Sequence, residues 1–522
     1  MTMANTTSSG SGSPAAQPQT SGNRLARHSV GLSGAIAQSA ALVGPAVGVV
    51  VGNTFIAGLT GPASPLAFLI GTIIVVVIAK VIADYARELP SAGSFYTYLT
   101  QSFGPKTGFV TGVLLFGAYL LLLPFQLSFF GFFVSGLLTA NFGVNVPWQV
   151  FAVVLIVLTA ALTAAGARYS LRIGLIGLAF EIVVFTAFAV LIIVQGGAEG
   201  NTIQPFNPAQ STQGFSSGLL IACVFTIFAF VGFESATTLG EEVSEPRRTI
   251  PRAVMVSAVL LGVFFVFVTY AEVIGFGITP AGIQQLAHDP TAFNTLANRY
   301  GNGVLSGLID VAVVTSFIAL NIVTVSAVTR MLYAMGRDRM LPSALSRLNR
   351  RQAPGMAAAT VAVVGLAASL IFGSIYGPDT YASWSAYLAT LFFIGAYILL
   401  CVGVMRFHRR RHPDNLSLVR HALIPLIGLA GIGLVLYGNV YPLPAAPLSY
   451  FIPATLVVVF AAVAVAHYLG RVDPERVRRA GQLLAAVEED AAVQTASTEA
   501  SDLGAQVPPV GTAQSPTERG RA

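Results

Sequence analysis

The sequence predicts an all-α integral membrane protein of about twelve transmembrane helices, on three observations. Of 522 residues, 54% are hydrophobic and only 10% charged, with a mean hydropathy of +0.74; a soluble domain carries roughly 25% charged residues. Apolar runs long enough to cross about 30 Å of hydrocarbon recur along nearly the whole chain, which calls for helices rather than a barrel. Lys and Arg gather in short loops on alternate sides of these runs, so the net charge of +6 is a topology signal and gives no footing for a nucleic-acid partner.

In chain order, residues 1–33 are rich in Ser, Gly and Pro and lack a short apolar core behind a basic start, so they read as a disordered tail without a cleaved signal peptide. The membrane domain covers 34–470, with spans expected near 36–59, 65–85, 107–138, 148–166, 172–195, 215–239, 252–276, 303–334, 356–374, 385–405, 420–439 and 450–469. Arg24 and Arg27 precede the first span; Lys80, Arg87 and Lys106 bracket the loop after the second. Arg168 and Arg172 follow the fourth, Arg247, Arg248 and Arg252 the sixth, and Arg337, Arg339, Arg347, Arg350 and Arg351 the eighth, while "RFHRRRHPD" closes the tenth. The intervening loops "ANFGVNVP" and "GNVYPLPAAP" carry no Lys or Arg, and the longest offers only Arg299, which puts both termini in the cytoplasm of a multi-pass cell-membrane protein. Residues 471–522 are polar; "DPERVRRAGQLLAAVEED" has the pattern of a short amphipathic helix and the remainder that of a largely disordered tail. Cys223 and Cys401 fall inside spans, where small buried hydrophobes are expected rather than a disulfide.

Two spans are interrupted at mid-depth. The first reads "AQSAALVGPAVGVVVGN", and Pro45 after Gly44 removes a donor and clashes with the preceding turn. The sixth reads "ACVFTIFAFVGFESATTLGEE", with Gly232 behind Phe228-Ala229-Phe230. A Gly/Pro break in hydrocarbon is tolerated where the freed backbone groups meet protein, water or a ligand. Taken singly each break also fits a kink or a close-packing point. Spans one and six head successive five-span blocks of opposite sense, however, and such inverted blocks place a binding site between their broken helices.

The stretches "ELPSAGSFYTYLTQSFGPKTGFVTG" after span two, "GFESATTLGEEVSEPRRTIPRA" in and after span six, and "RMLYAMGRDRMLP" ending span eight are similar to those of the amino acid-polyamine-organocation (APC) superfamily, bacterial amino acid permease branch. The resemblance covers nearly all the spans. It implies a LeuT-like fold, a 5+5 inverted repeat with broken helices 1 and 6 plus two C-terminal helices, and a secondary transporter working by alternating access. Where the family usually has a Gly-x-Gly-type break in span one, this chain has Gly44-Pro45-Ala46, and substrate identity is the inference this weakens most. A bound carboxylate would then use the amides of Ala46, Val47 and Gly48 at the start of a half-helix, where free donors meet a positive dipole end. An ammonium would sit among carbonyls around Leu42, Val43 and Phe225 to Phe228. The expected substrate-binding set is Val43, Gly44, Ala46, Val47, Phe228, Ala229, Phe230 and Gly232. By resemblance Phe228 aligns with an aromatic gate; ordinary packing is the other account of Phe228 and of Phe230.

A charged group deep in a bilayer costs roughly 3 kcal/mol or more, so buried acids need a reason. Glu234 falls just past the second break, in the first turn of the following half-helix, and reads either as a proton-sensitive gate or as a cap on the unwound segment. Glu181 lies in "RIGLIGLAFEIVVFTAFAV", about 13 Å into span five, with no opposite charge near it in sequence. Its position matches that of a lysine proposed to stand in for sodium in some proton-coupled relatives; a carboxylate carries over the position and not the charge. It reads as a proton carrier, a structural hydrogen-bonding group or a lipid-edge residue. Asp310 is a weaker candidate, and Glu272 is expected near the outer interface, solvated. Glu241, Glu242 and Glu245 are expected to face Arg247, Arg248 and Arg252 in an ion-paired loop, with a gating role as the alternative.

No nucleotide loop, metal-ligand cluster or nucleophile triad appears, so neither catalysis nor ATP-driven transport is expected, and no cofactor is needed beyond a proton gradient. The expectation is a secondary permease for an amino acid, proton-coupled. A carrier of polyamines or other organic amines in the same family is one alternative, and a transporter-like nutrient sensor that binds without translocating is another. Spans one and three offer no Asp or Glu near mid-depth to hold a second ammonium, which favours neutral, apolar, zwitterionic amino acids over putrescine or arginine.

Overall fold

The computed structural model describes residues 30–472 apart from 91–93, 166, 215–217, 241, 290, 338–340, 412, 414–415 and 442–445. The expected tail beyond 472 with its amphipathic segment, the residues before Val30, and Glu241 lie outside the described residues. The chain forms helices α1 (Leu32–Val43), α2 (Pro45–Thr60), α3 (Ser64–Glu88), α4 (Phe95–Phe103), α5 (Pro105–Phe142), α6 (Trp148–Ala164), α7 (Ala167–Val194) and α8 (Leu220–Ala229). They are followed by α9 (Pro246–Phe276), α10 (Pro280–His288), α11 (Ala292–Tyr300), α12 (Gly303–Arg337), α13 (Gly355–Tyr376), α14 (Pro378–Arg411), α15 (Ile424–Val440) and α16 (Phe451–Val472). Among the described residues the first helix begins at Leu32 and the last ends at Val472.

Local chemistry sets the helix ends. Proline stands at the first turn of α2, α3, α5, α9 and α10, where its missing N–H is one the helix would leave unpaired anyway. Among the described residues, nine helical stretches are long and apolar enough to cross a membrane, and Trp148–Ala164 and Val419–Leu434 are shorter apolar helices. The sixth expected span is in two pieces, α8 and a 3₁₀ helix at Ser235–Leu239, joined by turns through 230–234.

Helix α12 is the most enclosed of the nine crossings and α16 the least, so the core centres on α12 and the last helix is peripheral. Around this centre α5 packs along α14, α3 along α9, and α7 along α12, while α1 lies against α7, α9 and α12. Cys223 and Cys401 are buried free thiols, as expected. A polar chain runs through the core: Thr159 Oγ1 donates to Asn321 Oδ1 at 2.7 Å, Asn321 Nδ2 to Gln126 Oε1 at 2.9 Å, and Gln126 Nε2 to Thr324 Oγ1 at 2.7 Å. It pins α5 and α6 to α12 through buried groups that are each satisfied, the condition under which such a network rigidifies a core.

Candidate functional site

The two breaks meet. Gly44, between α1 and α2, has φ +62°, a left-handed conformation open to glycine, and a Cβ there would lie 3.1 Å from Leu320 of α12. Gly232 has φ +109°, and a Cβ would sit 2.6 Å from Leu42 Cγ, so the broken sixth span crosses the end of α1 at van der Waals distance. Ser235 Oγ donates to the Gln38 carbonyl at 2.8 Å, and Ala236 N–H to Ser39 Oγ at 3.1 Å, tying the 3₁₀ helix to α1.

At the first break the donor count departs from the expected three open amides. Ala46 N–H donates to Glu181 Oε2 at 3.0 Å, and Gly48 N–H returns to the Gly44 carbonyl at 2.9 Å. Only Val47 N–H finds no acceptor among the described residues. On the other side of the break, Ala41, Leu42 and Val43 would bond to residues 45, 46 and 47 in a continuous helix. Pro45 has no N–H, Ala46 has turned to Glu181 and Val47 does not return to Val43, so all three carbonyls are left for another donor. In the sixth span, by contrast, the carbonyls of Ile227 and Phe228 already accept turn bonds from Phe230 and Val231 at 3.0 and 2.9 Å.

Glu181 reaches the break from α7 and is fully buried. Its partner is the positive end of α2, a helix N-terminus rather than a cation. This excludes a lipid-edge placement. Its Oε1 keeps no partner, and the hydroxyl of Ser316, on α12, lies 3.5 Å from where a Gly44 Cβ would stand. The three elements α2, α7 and α12 therefore converge on one carboxylate.

Glu234 is also fully buried but has no spare acceptor. Tyr119 OH, on α5, donates to Oε1 at 2.6 Å; Tyr397 OH, on α14, donates to Oε2 at 2.9 Å, and Gly232 N–H to the same oxygen at 3.2 Å. It stands at the N-cap position of the 3₁₀ helix without a side-chain bond to it; its carboxylate holds the turn before it, through Gly232. Tyr119 and Tyr397 were absent from the sequence expectation, since they lie 115 and 163 residues away and no local spacing signals them.

The aromatic candidates separate. Phe230 is fully buried edge-on to Phe265 of α9, with ring centroids 5.0 Å apart, which is a packing role. Phe228 is half-buried and meets Phe125 of α5 edge-on at 6.2 Å. Val43, Ala46, Val47 and Ala229 are buried around the break, and the Ala229 methyl would lie 3.8 Å from a Cβ on Gly48.

Two charge expectations are corrected. Glu242 does not face the loop arginines: it forms a buried ion pair with Arg330 of α12, whose guanidinium also bonds Ser326. Beside it, Val30 pairs with Val243 through Val30 N–H to the Glu242 carbonyl at 3.3 Å and Ser244 N–H to the Val30 carbonyl at 3.2 Å. Among the described residues only Glu245 keeps a loop partner, Arg248, at 3.6 Å and in the open. Glu272 is buried, not solvated, because α2 places Asn53 against it. Asp310 is half-buried and accepts from Asn294 of α11 at 2.9 Å. Among the described residues no group of three or more His, Cys, Asp or Glu is placed to hold a metal.

Comparison with known proteins gives these features a context. The family described as "Amino acid permease" matches residues 32–463. The chain is 26% identical to the branched-chain amino acid permease BcaP of Lactococcus lactis subsp. cremoris over 404 residues, which covers 73% of this chain and 83% of the relative. It is 24% identical over 409 residues to the protein of the same name in Bacillus subtilis, covering 75% and 83%. The low-affinity putrescine importer PlaP of Escherichia coli is 24% identical over 289 residues, covering 55% and 62%.

Proposed function

Because the chain belongs to the amino acid permease family, a family of multi-pass membrane transporters, we propose that it is a secondary permease for neutral, apolar amino acids, driven by a proton gradient. One observation carries the substrate class: of the three amides at the start of α2 the Gly44 break leaves Val47 open, and it leaves three open carbonyls, Ala41, Leu42 and Val43. An amide at a helix N-terminus suits one carboxylate, and clustered carbonyls suit one ammonium. The half-buried ring of Phe228 offers an apolar side chain a partner. A diamine has no carboxylate for Val47 and needs an acid for its far end. Glu234 is taken by two tyrosines and is not free to serve it; Glu181 gives one oxygen to Ala46 and keeps the other, so the choice against a diamine rests on the open Val47 amide. The branched-chain relatives, matched over most of their length, support the same class.

In this reading the long crossings, the two shorter helices and the broken sixth span form the 5+5 inverted repeat with two further helices, both termini in the cytoplasm. Glu181 carries the coupled proton: ionised, it holds the positive end of α2; protonated, it keeps only a neutral hydrogen bond. The Tyr119–Glu234–Tyr397 tie closes the inner path by joining the broken sixth span to α5 and α14. Counterflow in proteoliposomes tests the substrate class. Leucine, isoleucine and valine should drive accumulation of labelled leucine, and arginine and putrescine should not. Exchange driven by putrescine, with leucine inert, would overturn the amino acid reading.

A further inference from the structure

Asn53 stands on α2, in the half of the first span beyond the break, and Glu272 near the far end of α9. Asn53 Nδ2 donates to Glu272 Oε2 at 2.5 Å, and both residues are buried, at 0% and 1% exposure. Each side chain keeps one oxygen without a partner: Asn53 Oδ1 and Glu272 Oε1. These two atoms sit on the same carbons that the existing bond already joins, and both are acceptors. Acceptors cannot satisfy one another. A proton on Glu272 Oε1 can, by donating to Asn53 Oδ1 and closing a cyclic acid–amide pair. Turning the amide over leads to the same place, since Oδ1 against a carboxylate oxygen also requires a proton between them.

The surroundings offer no substitute for that proton. No Lys, Arg or His lies within ion-pair distance of Glu272 among the described residues. Helices α1 and α2 contain no titratable side chain, the charges of α3 (Lys80, Asp84, Arg87 and Glu88) are at its other end, and Glu181 on α7 is bound to Ala46. Past the end of α9, Asp289 adds negative charge, His288 bonds within α10, and Glu199 stands against Gly277. Arg299 and Tyr300 of α11 both donate to the Gly275 carbonyl at 2.9 Å instead. An ionised carboxylate buried here would keep one hydrogen bond and one bare oxygen, the arrangement that burial penalises most.

We propose that Glu272 and Asn53 form a buried proton-binding site, the proton carried by Glu272 and shared with Asn53, which clasps α2 to α9. Losing the proton leaves acceptor against acceptor and loosens the clasp. The inference concerns the protonation of one side chain and stands apart from both the substrate class and the coupling role of Glu181.

Infrared difference spectroscopy of the purified full chain in lipid nanodiscs at neutral pH tests it. Glu272→Gln, which preserves an amide–amide pair with Asn53, should remove one protonated-carboxyl C=O band. Asn53→Leu should keep that band and move it to higher wavenumber, because the acid loses its acceptor. Glu181→Gln should leave this particular band in place. If Glu272→Gln removes no acid band, Glu272 is ionised, and if Asn53→Leu shifts none, the proton is not shared with Asn53; either result overturns the proposal. Each variant answers alone, so failure of one to fold leaves the other decisive.

Discussion

Ala46 has one backbone N–H and gives it to Glu181, so a residue expected to hold a ligand instead holds a side chain from another helix. That contact makes Glu181 readable as a switch. The ionised form adds a charge–dipole attraction to α2 worth up to about 2 kcal/mol when partly buried, and the neutral form does not. Glu181→Gln keeps an acceptor for Ala46 but fixes the neutral state. The expected outcome is uptake that no longer responds to an imposed pH gradient, with exchange of labelled for unlabelled substrate retained. Gradient-driven uptake at the parental level in the variant would sink the coupling role. The depth of Glu181 and Glu234 was legible, because an acid inside an apolar run announces itself. Their partners were not: a backbone amide 135 residues away and two tyrosine hydroxyls on α5 and α14 are related to them only through the packed fold.

Broken elements are where sequence and structure agree most closely, and for a local reason. Gly44-Pro45 removes a donor wherever it falls in a helix, so the end of α1 could be read from two letters. The break in the sixth span depends on Gly232, whose necessity is tertiary: Leu42 occupies the space a Cβ would need. Gly232→Ala therefore meets both a disfavoured φ of +109° and a contact at 2.6 Å, and is expected to cost roughly 1–3 kcal/mol. The measurement is melting temperature in detergent together with uptake, both of which should fall. Adding Leu42→Ala should recover part of the loss by relieving the contact but not the backbone conformation. No recovery at all would place the whole cost in the backbone. The inner half of the same span was expected to be an α-helix. It is a five-residue 3₁₀ helix instead, since its Ser and Thr hydroxyls bond to nearby carbonyls, among them Thr237 to Glu234 and Thr238 to Ser235.

Across the whole molecule, the pathway proposed above would be closed at one end by two layers. The Tyr119–Glu234–Tyr397 tie lies at the sixth-span break, and beyond it Glu242 and Arg330 pair beneath the Val30–Val243 contact. Removing one partner of a buried ion pair costs about 3–5 kcal/mol, because the other charge is left bare. Arg330→Met should therefore destabilise the closed arrangement and favour opening. A cysteine introduced at the buried position Ala236 reports it: alkylation should run more than about tenfold faster in Arg330→Met, the factor that 1.4 kcal/mol supplies. It should return toward the parental rate when Glu242→Gln is added. Equal rates in all three proteins would show that the pair does not hold this end shut. The recurrence of apolar crossings was legible from hydropathy; that the last helix is the least enclosed was not. The pairing of Glu242 with α12 was not, because the basic residues adjacent in sequence were the simpler partners.

The polar chain from Thr159 through Asn321 and Gln126 to Thr324 consists wholly of hydroxyls and amides. None of these groups gains or loses charge in any ordinary pH range. The buried carboxylates of Glu181, Glu234, Glu242 and Glu272 lie elsewhere, each at a seam where the first or sixth span, or the loop behind it, meets a neighbour. The clasp that pins α5 and α6 to α12 is thus chemically deaf to acidity.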